Sequence, residues 1–409
     1  MFESSCQNPL AVNGLPEPLV VQLRRFTTSL IEQGYVDQTV RSKLQLLTNL
    51  GLWLKRSRLA VTNLDEPLVE AFLKREHREC RGDLRTLQQF LDHLRKQNVV
   101  PARNLPCDRS ALTHILNRYE THLRTERGLV AHTILEYQSF IRKFLLQRFQ
   151  RRPLLLKAVK ASNISDFVLR HTRSMGARRA QLMTTAFRSF FRFLFQKGEL
   201  QVNLAASVPT VANWRLSTVP KYLTPKEVER LLQACNRRTA VGRRDYAILL
   251  LLARLGLRAG EVVALQLEDI NWRAGEILVR GKGLLHDRMP LPPDVGRALT
   301  SYLRQDRPRC PTRRVFVCRK APHRGFAGPS TLTTIVRRAL DRANLHPEFK
   351  GAHLLRHSLA TSMLRSGATM GEIGEVLRHR ARNTTEIYAK VDFDGLRSLA
   401  HPWPMGGAQ

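Results

Sequence analysis

Apolar residues recur at helical spacing through most of this chain. In residues 18–54 they fall at Leu23, Phe26, Leu30 and Ile31, break at Gly34, and resume at Val40, Leu44, Leu47 and Leu50, which predicts two amphipathic helices joined by a turn. Residues 112–148 repeat the pattern: Gly34 aligns with Gly128, Thr39 with Thr133, Val40 with Ile134 and Leu47 with Ile141, all at one offset of 94 positions. Further on, Leu84-Arg-Thr-Leu87 matches Phe187-Arg-Ser-Phe190 at an offset of 103, as a loop insertion would produce. The pattern therefore predicts two related four-helix units, residues 1–101 and 107–203, with Asn98-Val-Val-Pro-Ala-Arg-Asn-Leu-Pro106 as the joint.

The periodicity then lapses. Residues 204–220 hold two prolines and no repeating stripe, so they read as a linker, and a third domain is expected over 221–400. Thr224-Pro-Lys-Glu227 has the form of a helix start, with Thr as N-cap, Pro at N1 and Glu at N3. Arg244 to Ala253 is apolar on nearly every side, which predicts a buried helix ending at Gly256. Glu276-Ile-Leu-Val-Arg280 and Arg288-Met-Pro-Leu291 flank a glycine turn and predict a hairpin with Lys282 at its tip. The fold class expected is mainly α with a small antiparallel β-sheet.

Charge narrows the partner. Lys and Arg number 67 against 34 Asp and Glu, a net charge of +33, which points to a polyanion and first to double-stranded DNA. No run of about 18 apolar residues exists for a membrane span, and the first residues lack the form of a secretory leader, so a cytoplasmic location is expected. The six cysteines are scattered without a C-x-x-C pair, and no metal-binding spacing is present; neither a disulfide framework nor a metal or other cofactor is expected. In the second helical unit Arg142, Lys143, Arg178, Arg179 and Arg188 fall on faces left free by the apolar stripe and are candidates for phosphate contacts. A merely solvated charged face is the alternative for any one of them.

The chemistry concentrates near the carboxyl end. In His353-Leu-Leu-Arg-His-Ser-Leu-Ala-Thr361 the residues His353 and Arg356 stand at i and i+3, roughly 60° apart on a helix, where they could grip one anion. A glycine-rich connection (Gly367, Gly371, Gly374) leads to His379, and Asn383 with Glu386 reads as an N-cap and capping box for a short helix carrying Tyr388. Upstream, Arg258 in Leu255-Gly-Leu-Arg-Ala-Gly-Glu261 follows a helix-ending glycine at the mouth of the next helix, with Glu261 placed to orient it. Singly, each of these residues has an ordinary structural explanation.

Taken in order, Arg258, Lys282 in Val279-Arg-Gly-Lys-Gly283, His353-x-x-Arg356, His379 and Tyr388 in Tyr388-Ala-Lys-Val391 resemble the tyrosine recombinases of the phage integrase family. The resemblance runs from about Lys221 to Asp394, with a looser match over Ser110 to Asn203. It implies that residues 107–203 are a helical, SAM-like core-binding domain clamping one side of a duplex, and that 221–400 are the catalytic domain. It implies cleavage and rejoining of DNA through a 3′-phosphotyrosyl bond to Tyr388. In that scheme Arg258 and Arg356 neutralise the phosphate, His353 is the base, Lys282 the acid and His379 a hydrogen-bond donor. No metal is then needed. The implied partners are duplex DNA and further recombinase protomers, identical or sister proteins, assembled as a tetramer on two synapsed sites of a mobile element. Arg378 departs from the family, which commonly has glycine there. A catalytically silent DNA-binding regulator and a type IB topoisomerase are the competing readings, and the role of residues 1–101 is open.

Overall fold

The computed structural model describes residues 15–76, 82–102, 110–150, 153–212, 219–281, 286–381 and 384–391. The doubled pattern at the amino end is realised as four helices, α1 Glu17–Glu32, α2 Asp37–Arg56, α3 Glu66–Glu76 and α4 Asp83–Lys96. The same order returns as α5 Ala111–Thr125, α6 Ala131–Phe149, α7 Ala161–Thr172 and α8 Ala177–Gln196. Gly34 and Gly128 both turn the chain at positive φ, +82° and +58°, between the first two helices of each set. Ile31, expected on the apolar stripe of α1, is instead 48% exposed, because Leu23, Phe26 and Leu30 already fill the inward face.

The chain divides into two compact units, Asn104–Ser217 and the remainder. The first has a core built on phenylalanine. Phe144 meets Phe167 and Phe187 edge to face at 5.3 Å, and Phe190, Phe191 and Phe193 continue the cluster along α8. Such pairs add about 0.5–1.5 kcal/mol each beyond the area they bury. Leu204, Ala205 and Val208 belong to this core, so the segment read as linker from residue 204 onward packs on the bundle for its first few residues.

In the other unit the amino-terminal bundle closes its own core, from Leu19 to Val100, and Arg95 grips Glu66 with two bonds of 3.0 and 2.8 Å. The His323 N–H donates to the Gln33 carbonyl at 2.9 Å, a link between this bundle and the carboxyl-terminal domain.

The carboxyl-terminal domain begins as the sequence predicts. Thr224 caps α9 Pro225–Gln233 in a reciprocal capping box with Glu227. Helix α10 Ala240–Arg254 is apolar all round because it is central: Ala247 to Leu252 are each at most 1% exposed, and α12 Pro293–Gln305 and α14 His353–Arg365 pack against it. Gly256 ends it at φ +57°, a conformation costly for any residue with a Cβ. After α11 Ala259–Ala264 comes an antiparallel sheet in the order β1 Ile270–Asn271, β2 Glu276–Arg280, β3 His286–Pro290, with Leu278 opposite Arg288. The short β1 was not expected; Gln266 and Asp269 close a capping box just before it, and Asp269 also holds Arg280 at 2.7 Å. Helix α13 is Ser330–Arg342.

The glycine-rich connection after α14 is a further helix, α15 Met370–Val376, and not a loop. Thr369 and Glu372 form a capping box that outweighs the poor propensity of Gly371 and Gly374. A 3-10 helix, Glu386–Val391, carries Tyr388. Asn383, read as its cap, lies outside the described residues.

Candidate active site

Backbone geometry at helix ends sets most of the site. Arg258 is the N-cap of α11; its N–H donates to Glu261 Oε2 and its guanidinium to Glu261 Oε1, both at 2.8 Å. One buried carboxylate thus fixes the residue at both ends, as Glu261 was expected to do. The Arg258 side chain itself is 39% exposed. Arg356 sits in the first turn of α14 at 3% exposure and donates to the carbonyls of Gly256 and Leu377. It therefore ties the loop after α10 to the end of α15. His353 opens α14 and is exposed.

Tyr388 is 1% exposed, and its Oη lies 2.9 Å from His357 Nδ1. The His379 ring lies parallel to the tyrosine ring within 3°, at 6.5 Å between centroids, and its Nδ1 is 2.8 Å from Thr385 Oγ1. Arg378 completes the cluster by donating to Glu261 Oε2 at 2.8 Å.

The electrostatics follow from burial among cations. Burial pushes the Tyr388 phenol up to about 12, while the charges of Arg356 and Arg258 pull the other way. His357 falls to about 4, through burial first and then His353 and Arg356; His379 also falls to about 4, through burial and then Arg356 and Arg258. Both imidazoles are therefore neutral near pH 7. Arg356 drops from the ordinary arginine range to about 10, chiefly by burial and then by Arg258. Burial alone would raise Glu261, but the Arg258 N–H and the charge of Arg378 outweigh it and hold the carboxyl below the ordinary range. The result is a largely buried cluster with surplus positive charge, an un-ionised phenol and two neutral imidazoles.

Five of the six residues predicted for catalysis, Arg258, His353, Arg356, His379 and Tyr388, are described and lie in this region. Lys282 lies outside the described residues; the strand after it is held toward the site by Arg380 on Asp287 at 3.3 Å. Sequence reasoning gave the phenol's proton to His353, yet the imidazole against the phenol is His357. The signal was present in the i, i+4 spacing of the two histidines, whose rings stand 6.4 Å apart. In the helical unit Arg142, Lys143, Arg178 and Arg179 are exposed and have no ion pair among the described residues. Arg188 differs: its guanidinium donates to the carbonyls of Val208 and Pro209 at 3.1 Å, so it anchors the following segment.

Comparison with known proteins identifies this arrangement. The model of the phage integrase family matches residues 221–394, and that of the phage integrase N-terminal SAM-like domain matches residues 116–198. A protein of Sinorhizobium fredii named as an integrase/recombinase is 44% identical over 98% of this chain and 98% of its own length. Tyrosine recombinase XerD of Mycobacterium tuberculosis is 31% identical over 70% of this chain and 97% of its own. Among solved structures, the XerH site-specific recombinase in a post-cleavage complex with a palindromic difH substrate shares the fold, at TM-score 0.53 and 18% identity over 93% of both chains. The chain belongs to the phage integrase family of tyrosine recombinases.

Proposed function

We propose that this protein is a site-specific DNA recombinase in which Tyr388 is the nucleophile. The observation that carries the assignment is the convergence of Tyr388, His357, His379, Arg356 and Arg258, drawn from four separate elements, on one cluster of surplus positive charge. In the reaction the phenol oxygen attacks the scissile phosphorus and the bond to the 5′ oxygen breaks, leaving a 3′-phosphotyrosyl link that stores the energy of the diester. Attack by a 5′ hydroxyl of another strand reverses the step and rejoins the DNA. Arg258 and Arg356 stabilise the charge on the non-bridging oxygens, His379 donates a hydrogen bond to them, and Lys282 protonates the departing oxygen. His357 receives the phenol's proton, with His353 one turn earlier as the next acceptor.

The helical unit 107–203 binds the duplex through the exposed faces bearing Arg142, Lys143, Arg178 and Arg179, and residues 221–400 carry the catalysis. A site with two half-sites, like the palindromic one in the XerH complex, takes two protomers, and exchange between two such sites takes four, either copies of this chain or sister recombinases. Action on DNA carried by a mobile element places the protein in the cytoplasm.

The test is covalent capture. Nicked duplexes of randomised sequence are incubated with the protein and adducts resistant to detergent are collected. The wild type is expected to yield them and Tyr388→Phe to bind DNA yet yield none; an adduct with the Phe variant sinks the assignment.

A further inference from the structure

Arg378 occupies a position that its backbone does not favour. Its φ is +54°, a region that long L side chains adopt only under constraint and glycine adopts freely. Constraint of that kind persists where the surroundings hold it in place, often at a working site. Here the surroundings are specific. The Arg378 side chain is 7% exposed and Glu261 6%; Arg378 Nη2 meets Glu261 Oε2 at 2.8 Å, while Nη1 reaches Met289 Sδ on β3 and the Val376 carbonyl.

The charge count gives the arrangement a purpose. Glu261 is already ion-paired to Arg258, so with those two alone the carboxylate would cancel the field of the phosphate-facing arginine. Arg378 supplies a second cation on the same carboxylate and restores a net positive charge to the trio. It also donates to Glu261 Oε2, the oxygen that accepts the Arg258 N–H and lies opposite the one that holds the Arg258 guanidinium, and so adds a third bond fixing the carboxylate. A buried ion pair is weak support for stability in itself, but a well-attested way to fix one geometry.

We infer that Arg378 is a positioning residue for strand cleavage: through Glu261 it holds Arg258 in place and keeps that arginine's charge available to the scissile phosphate. The inference rests on the recombinase reading above and deepens it.

The experiment uses full-length protein and the duplexes captured by the wild type, made with either a phosphodiester or an uncharged methylphosphonate at the cleaved position. Arg378→Met is expected to form adduct on the phosphodiester about 10- to 100-fold more slowly with DNA affinity unchanged, and to lose far less on the methylphosphonate, where less charge needs neutralising. Arg378→Lys recovers most of the rate, and adding Arg378→Met to Glu261→Gln costs little more than Glu261→Gln alone. Arg378→Gly slows cleavage equally while keeping the thermal midpoint, since glycine suits φ +54°. Wild-type rates in Arg378→Met, or an equal loss on both substrates, overturn the inference. Should the wild type capture no duplex, the recombinase reading fails and the positioning claim still stands or falls on sulfate binding, which Arg378→Met must weaken as Arg258→Met does.

Discussion

Arg356 is a buried cation without a carboxylate of its own among the described residues, and an anion should stabilise the protein through it. Its fall to about 10 means that its charge is held against an unrelieved cost on the order of a few kcal/mol, most of it from burial. An anion that restored the ordinary value would gain that amount, about two powers of ten in affinity. Sulfate, tetrahedral and doubly charged, stands in for the scissile phosphate. At 100 times its dissociation constant a ligand adds about 2.7 kcal/mol to folding stability. For a domain of this size each kcal/mol moves the thermal midpoint by about 2–4 °C, so a rise of about 5–10 °C is expected. The assay compares midpoints in sodium sulfate and sodium chloride at matched ionic strength, for the wild type and for Arg356→Met, which fills similar space without charge. Sulfate also stabilises proteins generally by exclusion from their surfaces, and that part is common to both. Arg356→Met should lose most of the sulfate-specific rise, and Arg258→Met less, because solvent screens its 39% exposed side chain. An identical sulfate response in wild type and Arg356→Met would refute the reasoning.

Stability should fall on acidification from about pH 6.5 to 4: unfolded histidines take up protons near 6.5, whereas His357 and His379, depressed to about 4 by burial first and then by Arg356, Arg258, Arg378 and His353, do not, so protons favour the unfolded chain across that window. Midpoints measured at pH 7.5 and 4.5 check this, and His357→Asn should flatten the slope. Adduct formation should proceed unchanged in excess EDTA, because arginines supply the charge that a metal would; loss of activity restored by magnesium would point to another mechanism. Deleting residues 1–101 should leave the catalytic domain folded and its cleavage intact, since the bundle's core stops at Val100 and, among the described residues, its contacts with the carboxyl-terminal domain centre on His323, against Gln33 and Gly34, while full recombination between paired sites declines. Loss of core-site cleavage in the truncated protein would show that the bundle serves DNA binding directly.

What could be read from the sequence was whatever has a local cause. Thr224-Pro-Lys-Glu227 caps its helix because the bonds lie within four residues, and α10 declares its central place by being apolar on every side. The doubled bundle was legible because an offset is arithmetic. What was hidden depended on partners far along the chain. The contact of His357 with the phenol turns on where Tyr388 arrives, 31 positions later, and the grip of Arg378 on Glu261 spans 117 positions. Arg188 was read as a candidate DNA contact because it lies off the apolar stripe, and the carbonyls of Val208 and Pro209, which take its Nη2, lie 20 and 21 positions later. Helix α15 was missed because its glycines spoke louder than the Thr369 and Glu372 caps beside them.

Among the described residues the buried apolar clusters each fall within one stretch of the chain: Leu19 to Val100, Ile115 to Val208, Leu223 to Leu355, and a smaller one from Ala360 to Val391. In evolutionary terms that makes the boundaries safe places to cut and copy. Duplicating a bundle adds a self-sufficient part, and losing one strips no interior bare, so selection acts on what the part recognises and not on whether the rest survives. The amino-terminal bundle, with its element order echoing the second, has the form of such a copy, free to drift from gripping DNA toward another task while the catalytic domain stays under its own constraint.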